Sequence, residues 1–176
     1  CPHTRPRMRS LNAIARAYRV VRAAPSRRAN NDRPRRAMAH ARKPGVASDD
    51  EFERFFSANQ GKTVVVLDAR NSEFSVEPSD EQFGGPQGSA PIADCGTSAR
   101  PNAVNCAFDR SANALRDLQV LEAKTGGNKS TPIITHCGGG GRGQKAKEYL
   151  ISQGYSNVIN GGGPAVEALW KTFGSM

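Results

Sequence analysis

The feature that most constrains this chain is the unbroken apolar run Val64 to Leu67 within "KTVVVLDAR". A run with no polar face predicts a strand covered on both sides, the pattern of a parallel sheet enclosed between two layers. The segments after it alternate accordingly. "PNAVNCAF" reads as a short strand holding Val104 and Cys106. A helix follows from Ser111, aligning Leu115, Leu118 and Leu121 and stopping at Gly126-Gly127. "TPIITHC" predicts a third strand, and a helix from about Gly143 to Leu150 closes on Gly154. "SNVIN" is a fourth strand; beyond it Pro164 opens a last helix with Val166, Leu169, Trp170 and Phe173 at helical spacing. Alternating strands and helices imply right-handed crossovers between parallel strands, hence a three-layer α/β sandwich.

The ordered region is expected to begin near Ser48, where Ser48 and Glu51 form a capping box ahead of Phe52, Phe55 and Phe56. Residues 1–47 read as a basic, Arg-rich leader that is either disordered or targeting. The formal charge of +9 resides there: 13 basic residues stand against Asp32 in residues 1–46, a net +12, while residues 47–176 carry a net −3. A mildly acidic domain argues against a phosphate-backbone footprint, so no nucleic-acid partner is expected. From Met8 onward, Leu11, Ile14, Tyr18 and Val21 share one helical face opposite Arg16, Arg19 and Arg22. That pattern resembles a mitochondrial import segment; the alternatives are cytoplasmic or plastid localisation, the last disfavoured by sparse Ser and Thr. No run approaches the roughly 18 apolar residues of a membrane span, so a soluble protein with no membrane partner is expected. Between Phe74 and Arg100 a polar stretch rich in Gly, Pro and Ser reads as a flexible insertion at about 75–99, with Cys95 inside it.

Four cysteines, Cys1, Cys95, Cys106 and Cys137, lack both metal-ligand spacing and the density of a disulfide scaffold. As free thiols they differ by environment. Cys106 reads as a core residue, whereas Cys137 lies at a strand end followed by Gly138, Gly139, Gly140 and Gly141, with Arg142 opening the next helix. In α/β folds ligands bind beyond the carboxyl ends of strands. Successive glycines there can turn their N–H groups toward one point, and with the helix N-terminus they stabilise a thiolate and any anionic group brought to it. Arg142 adds a planar cation suited to an oxyanion. A lone cysteine is usually an inert core thiol and a glycine run usually a linker. Cys, four Gly and Arg in this order have few structural reasons to exist together.

The segment "HCGGGGRGQKAKEYLISQGYSNVINGGGP" resembles the active-site loop, helix and next strand of the rhodanese family. "VVVLDAR", "ARPNAVN" and "ALWKTFG" resemble three further motifs of that family, in family order. The resemblance implies a rhodanese-like domain over 48–176, its parallel sheet of about five strands flanked by helices on both faces. It implies a sulfurtransferase using thiosulfate or a persulfide as donor and a thiol or cyanide as acceptor, through a persulfide on Cys137. Donor contacts would come from Gly138 to Gly141, Arg142, Asp68 and Arg70; no metal or organic cofactor is called for. Asp68 and Arg70 read equally well as a structural ion pair at a strand end. His136 reads as a strand residue with a satisfied hydrogen bond and Trp170 as core; Cys95 could resolve the persulfide as a disulfide. Two other functions fit the same residues: a non-catalytic rhodanese binding or regulatory module, and a cysteine-dependent phosphatase or arsenate reductase. The second is disfavoured because four residues separate Cys137 from Arg142, where that group has five.

Overall fold

The computed structural model describes residues 42–81, 92 and 101–165. The expectations for the leader before residue 42, for Cys95 and for the helix containing Trp170 fall outside these residues. Helix α1 spans Asp49–Ala58, strand β1 Val65–Asp68, and a short 3-10 turn Pro78–Asp80. Strand β2 is Ala103–Asn105, β3 is Phe108–Asp109 and β4 is Ala114–Leu115; helix α2 is Leu118–Thr125. Strand β5 (Ile133–His136), helix α3 (Gly141–Ser152) and strand β6 (Val158–Asn160) complete the described elements.

Four strands form one parallel sheet in the order β2-β1-β5-β6, so the described part of the sheet is one strand short of the five expected. Both central strands are buried at every position, as their apolar runs require. Side chains alternate between two cores. On one face Val65, Leu67 and Ile133 pack with Leu121 of α2 and with Ala146 and Leu150 of α3. On the other, Val64 and Ile134 pack with Phe52 and Phe55 of α1. Two apolar clusters back to back across one sheet are the three-layer arrangement.

Helix α1 starts as its sequence predicts: Glu51 N–H donates to Ser48 Oγ at 3.3 Å, and Ser48 N–H donates to Glu51 Oε2 at 2.6 Å. This box contributes about 1 kcal/mol, and burying Phe52 completely about 2–3 kcal/mol more. Packing also begins upstream of Ser48. Val46 and Ala47 are buried in the α1-side core, and Ala47 N–H donates to Asn160 O at 2.9 Å, so residues expected in the leader form part of the folded unit.

The helix expected from Ser111 is a correction. Residues 108–115 form an antiparallel hairpin, β3 against β4, with Phe108 opposite Leu115. Asp109 sets the turn: its Oδ1 accepts from Ser111 N–H at 2.8 Å and Ala112 N–H at 3.0 Å, which offers those amides an alternative to helix. Helix then starts only after Asp117, whose φ of 53° breaks continuity, and ends on left-handed Gly126 as expected. The insertion expected from residue 75 is likewise more structured at its start. Pro78 opens the 3-10 turn, and Asp80 at its end is fully buried.

Candidate active site

Cys137 is the first residue past β5, at the carboxyl edge of the sheet. Its N–H donates to Gly162 O at 2.9 Å, while Ala69 N–H donates to His136 O at 2.8 Å, so the loop leaves a strand held on both sides. Four residues later α3 begins, so its positive N-terminal end closes the loop. The sulfur lies within this turn: Gly140 N–H donates to Cys137 Sγ at 3.1 Å. The sequence predicts four inward glycine amides; among the described residues, the Gly140 amide makes that contact.

Gly140 needs to be glycine. Its φ is 97°, and a Cβ there would run into Val46 Cγ2 and crowd Gly162 Cα. Asn160, buried at the end of β6, fixes this residue by donating from Nδ2 to Gly140 O at 2.9 Å and accepting from Gly162 N–H at 3.0 Å on Oδ1. Gly141 differs, since a Cβ there meets nothing within 4 Å. Gly141→Ala is therefore expected to leave Cys137 chemistry unchanged and, at the first position of α3, to add up to about 0.5 kcal/mol, visible as a Tm equal to or above the native value.

Arg142 does not stand free at the mouth of the loop. It is 7% exposed, and both terminal nitrogens are held by one carboxylate: Nη1 donates to Asp80 Oδ2 at 2.6 Å, and Nη2 donates to Asp80 Oδ1. Asp80 Oδ2 also accepts from Asn71 N–H at 2.9 Å. Burial works against the charge on Arg142, but the Asp80 hydrogen bonds and charge, with Cys137 and Glu77 adding, hold its pKa above the ordinary value.

Asp68 and Arg70 are both fully buried and face each other. Arg70 Nε donates to Asp68 Oδ1 at 2.9 Å and Nη2 donates to Oδ2 at 2.5 Å, and His136 Nε2 lies 3.8 Å from the same carboxylate. Burial alone would raise the Asp68 pKa; the charge of His136 and the hydrogen bonds and charge of Arg70 outweigh it and hold the carboxyl far below its usual range. With neither side chain exposed, a donor contact does not fit this closed arrangement. The pair instead supports β1 beside the strand that delivers Cys137. Cys106 is a core thiol, its pKa pushed up to about 11 by burial, which keeps it un-ionised at neutral pH.

Two residues that shape the site escaped the sequence reading. Asp80 lies in a polar stretch with nothing local to mark it, and Asn160 ends a strand as polar residues often do. A signal did exist for Asn160: it is the one buried polar side chain of "NVIN" directly before a glycine turn, where loose amides and carbonyls need partners.

The fold and the loop define a class: an α/β sandwich with a single cysteine between a strand end and a helix N-terminus. The family model described as Rhodanese, Rhodanese-like domain, matches residues 87–166, a span that contains β2 to β6 and the whole Cys137 loop. This match supports a rhodanese-like domain, of the kind found in sulfurtransferases and the modules related to them. Among solved structures it is similar to an uncharacterized protein from Saccharomyces cerevisiae, with 20% identity over 72% of this chain and 90% of that chain and a TM-score of 0.38. The comparison with curated proteins finds no match.

Proposed function

We propose that this protein is a sulfurtransferase that carries a sulfane sulfur on Cys137, taking it from thiosulfate or a persulfide and passing it to a thiol or cyanide. The supporting observation is the Gly140 N–H donating to Cys137 Sγ at the N-terminal end of α3, an arrangement that favours negative charge on sulfur before and after the transfer. With thiosulfate, the Cys137 thiolate attacks the outer sulfur; the sulfur–sulfur bond of the donor breaks, sulfite leaves with the electron pair, and a Cys137 persulfide remains. Attack of an acceptor thiolate on the outer persulfide sulfur then returns Cys137 as thiolate. Sγ serves as nucleophile first and leaving group second, so neither step requires a proton shuttle.

A second reading, a binding module without turnover, draws on the 3% exposure of Cys137, which means the loop must yield for a donor to reach the sulfur. Mass spectrometry of the intact protein after incubation with thiosulfate or an organic hydropersulfide separates the two. The expected result is a gain of one sulfur atom, lost in Cys137→Ser and removed by cyanide. No gain with either donor would support the module, and turnover of p-nitrophenyl phosphate would support a phosphatase.

A further inference from the structure

The cation of the loop is already neutralised. Asp80 covers both terminal nitrogens of Arg142, Glu77 places a second negative charge near the same guanidinium, and the pair is almost wholly withdrawn from solvent. Beneath the loop, Arg70 is committed to Asp68, with His136 beside them. Arg110 is in turn paired with Glu77, and Lys43 is a further cation near the loop. Its Nζ would come within 3.5 Å of a Cβ built on Gly139, but Lys43 is exposed, so water and salt screen its charge.

From this we infer that Asp80 is a specificity-determining residue, and that its pairing with Arg142 turns the site away from dianionic sulfur donors and toward donors whose outer sulfur sits on an uncharged organic group. The inference rests on the sulfurtransferase reading. Thiosulfate brings two negative charges toward a thiolate that carries a third, and a guanidinium held by a carboxylate offers it no net charge. An organic hydropersulfide in its protonated, neutral form meets no such repulsion. The Cys137 thiolate attacks its outer sulfur, the sulfur–sulfur bond of the donor breaks, and the organic thiolate leaves with the electron pair. The proton stays on the new Cys137 persulfide. Asp80 thereby acts through Arg142 on the choice of donor, without touching the donor itself.

The test is single-turnover loading of Cys137, followed by intact-protein mass spectrometry with two probes, thiosulfate and benzyl hydropersulfide. Each rate is divided by that of the same donor with a small free thiolate. In the native protein the normalised rate should be lower for thiosulfate. Asp80→Asn keeps the shape and an acceptor for Asn71 N–H but removes the charge, and should raise thiosulfate loading about tenfold or more while changing hydropersulfide loading less than about threefold. The gain should vanish in the double variant Asp80→Asn with Arg142→Gln, because the effect runs through Arg142. An unchanged donor ratio in Asp80→Asn would overturn the inference. So would a native preference for thiosulfate, a measurement that stands even if the variants fail to fold; loss of that preference in Lys43→Gln would then assign anion reception to Lys43. Absence of sulfur on Cys137 with both donors would instead defeat the sulfurtransferase reading itself.

Discussion

Asp68→Ala is expected to cost about 3–5 kcal/mol of folding stability, enough to lower the urea midpoint steeply or abolish the folded state at 37 °C. The size follows from burial. Arg70 is fully enclosed and its guanidinium is directed at Asp68 through Nε and Nη2, so removing the carboxylate takes the counter-charge from a buried cation. The loss also spreads along the backbone. Asn105 Nδ2 donates to the carbonyls of Asp68 and Arg70 at 3.0 and 2.9 Å, and Asp68 is in register with both Asn105 and His136, so three parallel strands meet at this point. The pH dependence has a definite sign. Asp68 has a folded pKa held below its unfolded value, so its contribution is complete above the ordinary carboxylate range of about 4 and is lost as pH falls through the depressed folded value. In the native protein, acid unfolding should therefore show a component well below pH 4 that is absent in Asp68→Ala. Equal acid stability of the two proteins by circular dichroism would refute this.

How far the sequence spoke for itself depended on the range of each interaction. The runs at Val64 to Leu67 and Ile133 to Ile134 declare β1 and β5, because burial on both faces favours consecutive apolar residues. The box of Ser48 and Glu51 is equally plain, since all its partners lie within four residues. Where a local hydrogen bond competed with periodicity, the reading failed. Leu115, Leu118 and Leu121 are spaced for a helix, yet Asp109 captures the amides of Ser111 and Ala112 and commits the first part of that segment to a hairpin. The site divides in the same way. Cys137, the glycines and Arg142 are contiguous and could be read; the partner of Arg142 is 62 residues away in a stretch of no periodicity. The charge state of the loop, which decides what it attracts, was for that reason invisible until the chain was folded.

Gly163→Ala is expected to be the most damaging single-methyl change at the site. Gly163 has a φ of 143°, a backbone region closed to side chains, and a Cβ there would be driven into the carbonyl oxygen of Cys137 and crowd that of Gly138. These are main-chain atoms and cannot rotate aside. The Cys137 N–H is itself fixed to Gly162 O at 2.9 Å, and Ala165 N–H to Gly138 O at 2.8 Å, so the turn after β6 and the loop after β5 are bonded to each other on both sides of the clash. Backbone strain and overpacking together should cost about 2–6 kcal/mol. Relief by displacing the Cys137 carbonyl would move Sγ away from Gly140 N–H, now 3.1 Å distant, and sulfur loading should fall at least about tenfold in whatever fraction stays folded. Gly141→Ala supplies the control, since it adds the same methyl group at the end of the neighbouring Cys137 loop, in open space. Thermal melts and sulfur loading measured side by side should separate the two variants widely; comparable behaviour would mean that the contact between the two turns does not hold the cysteine in place.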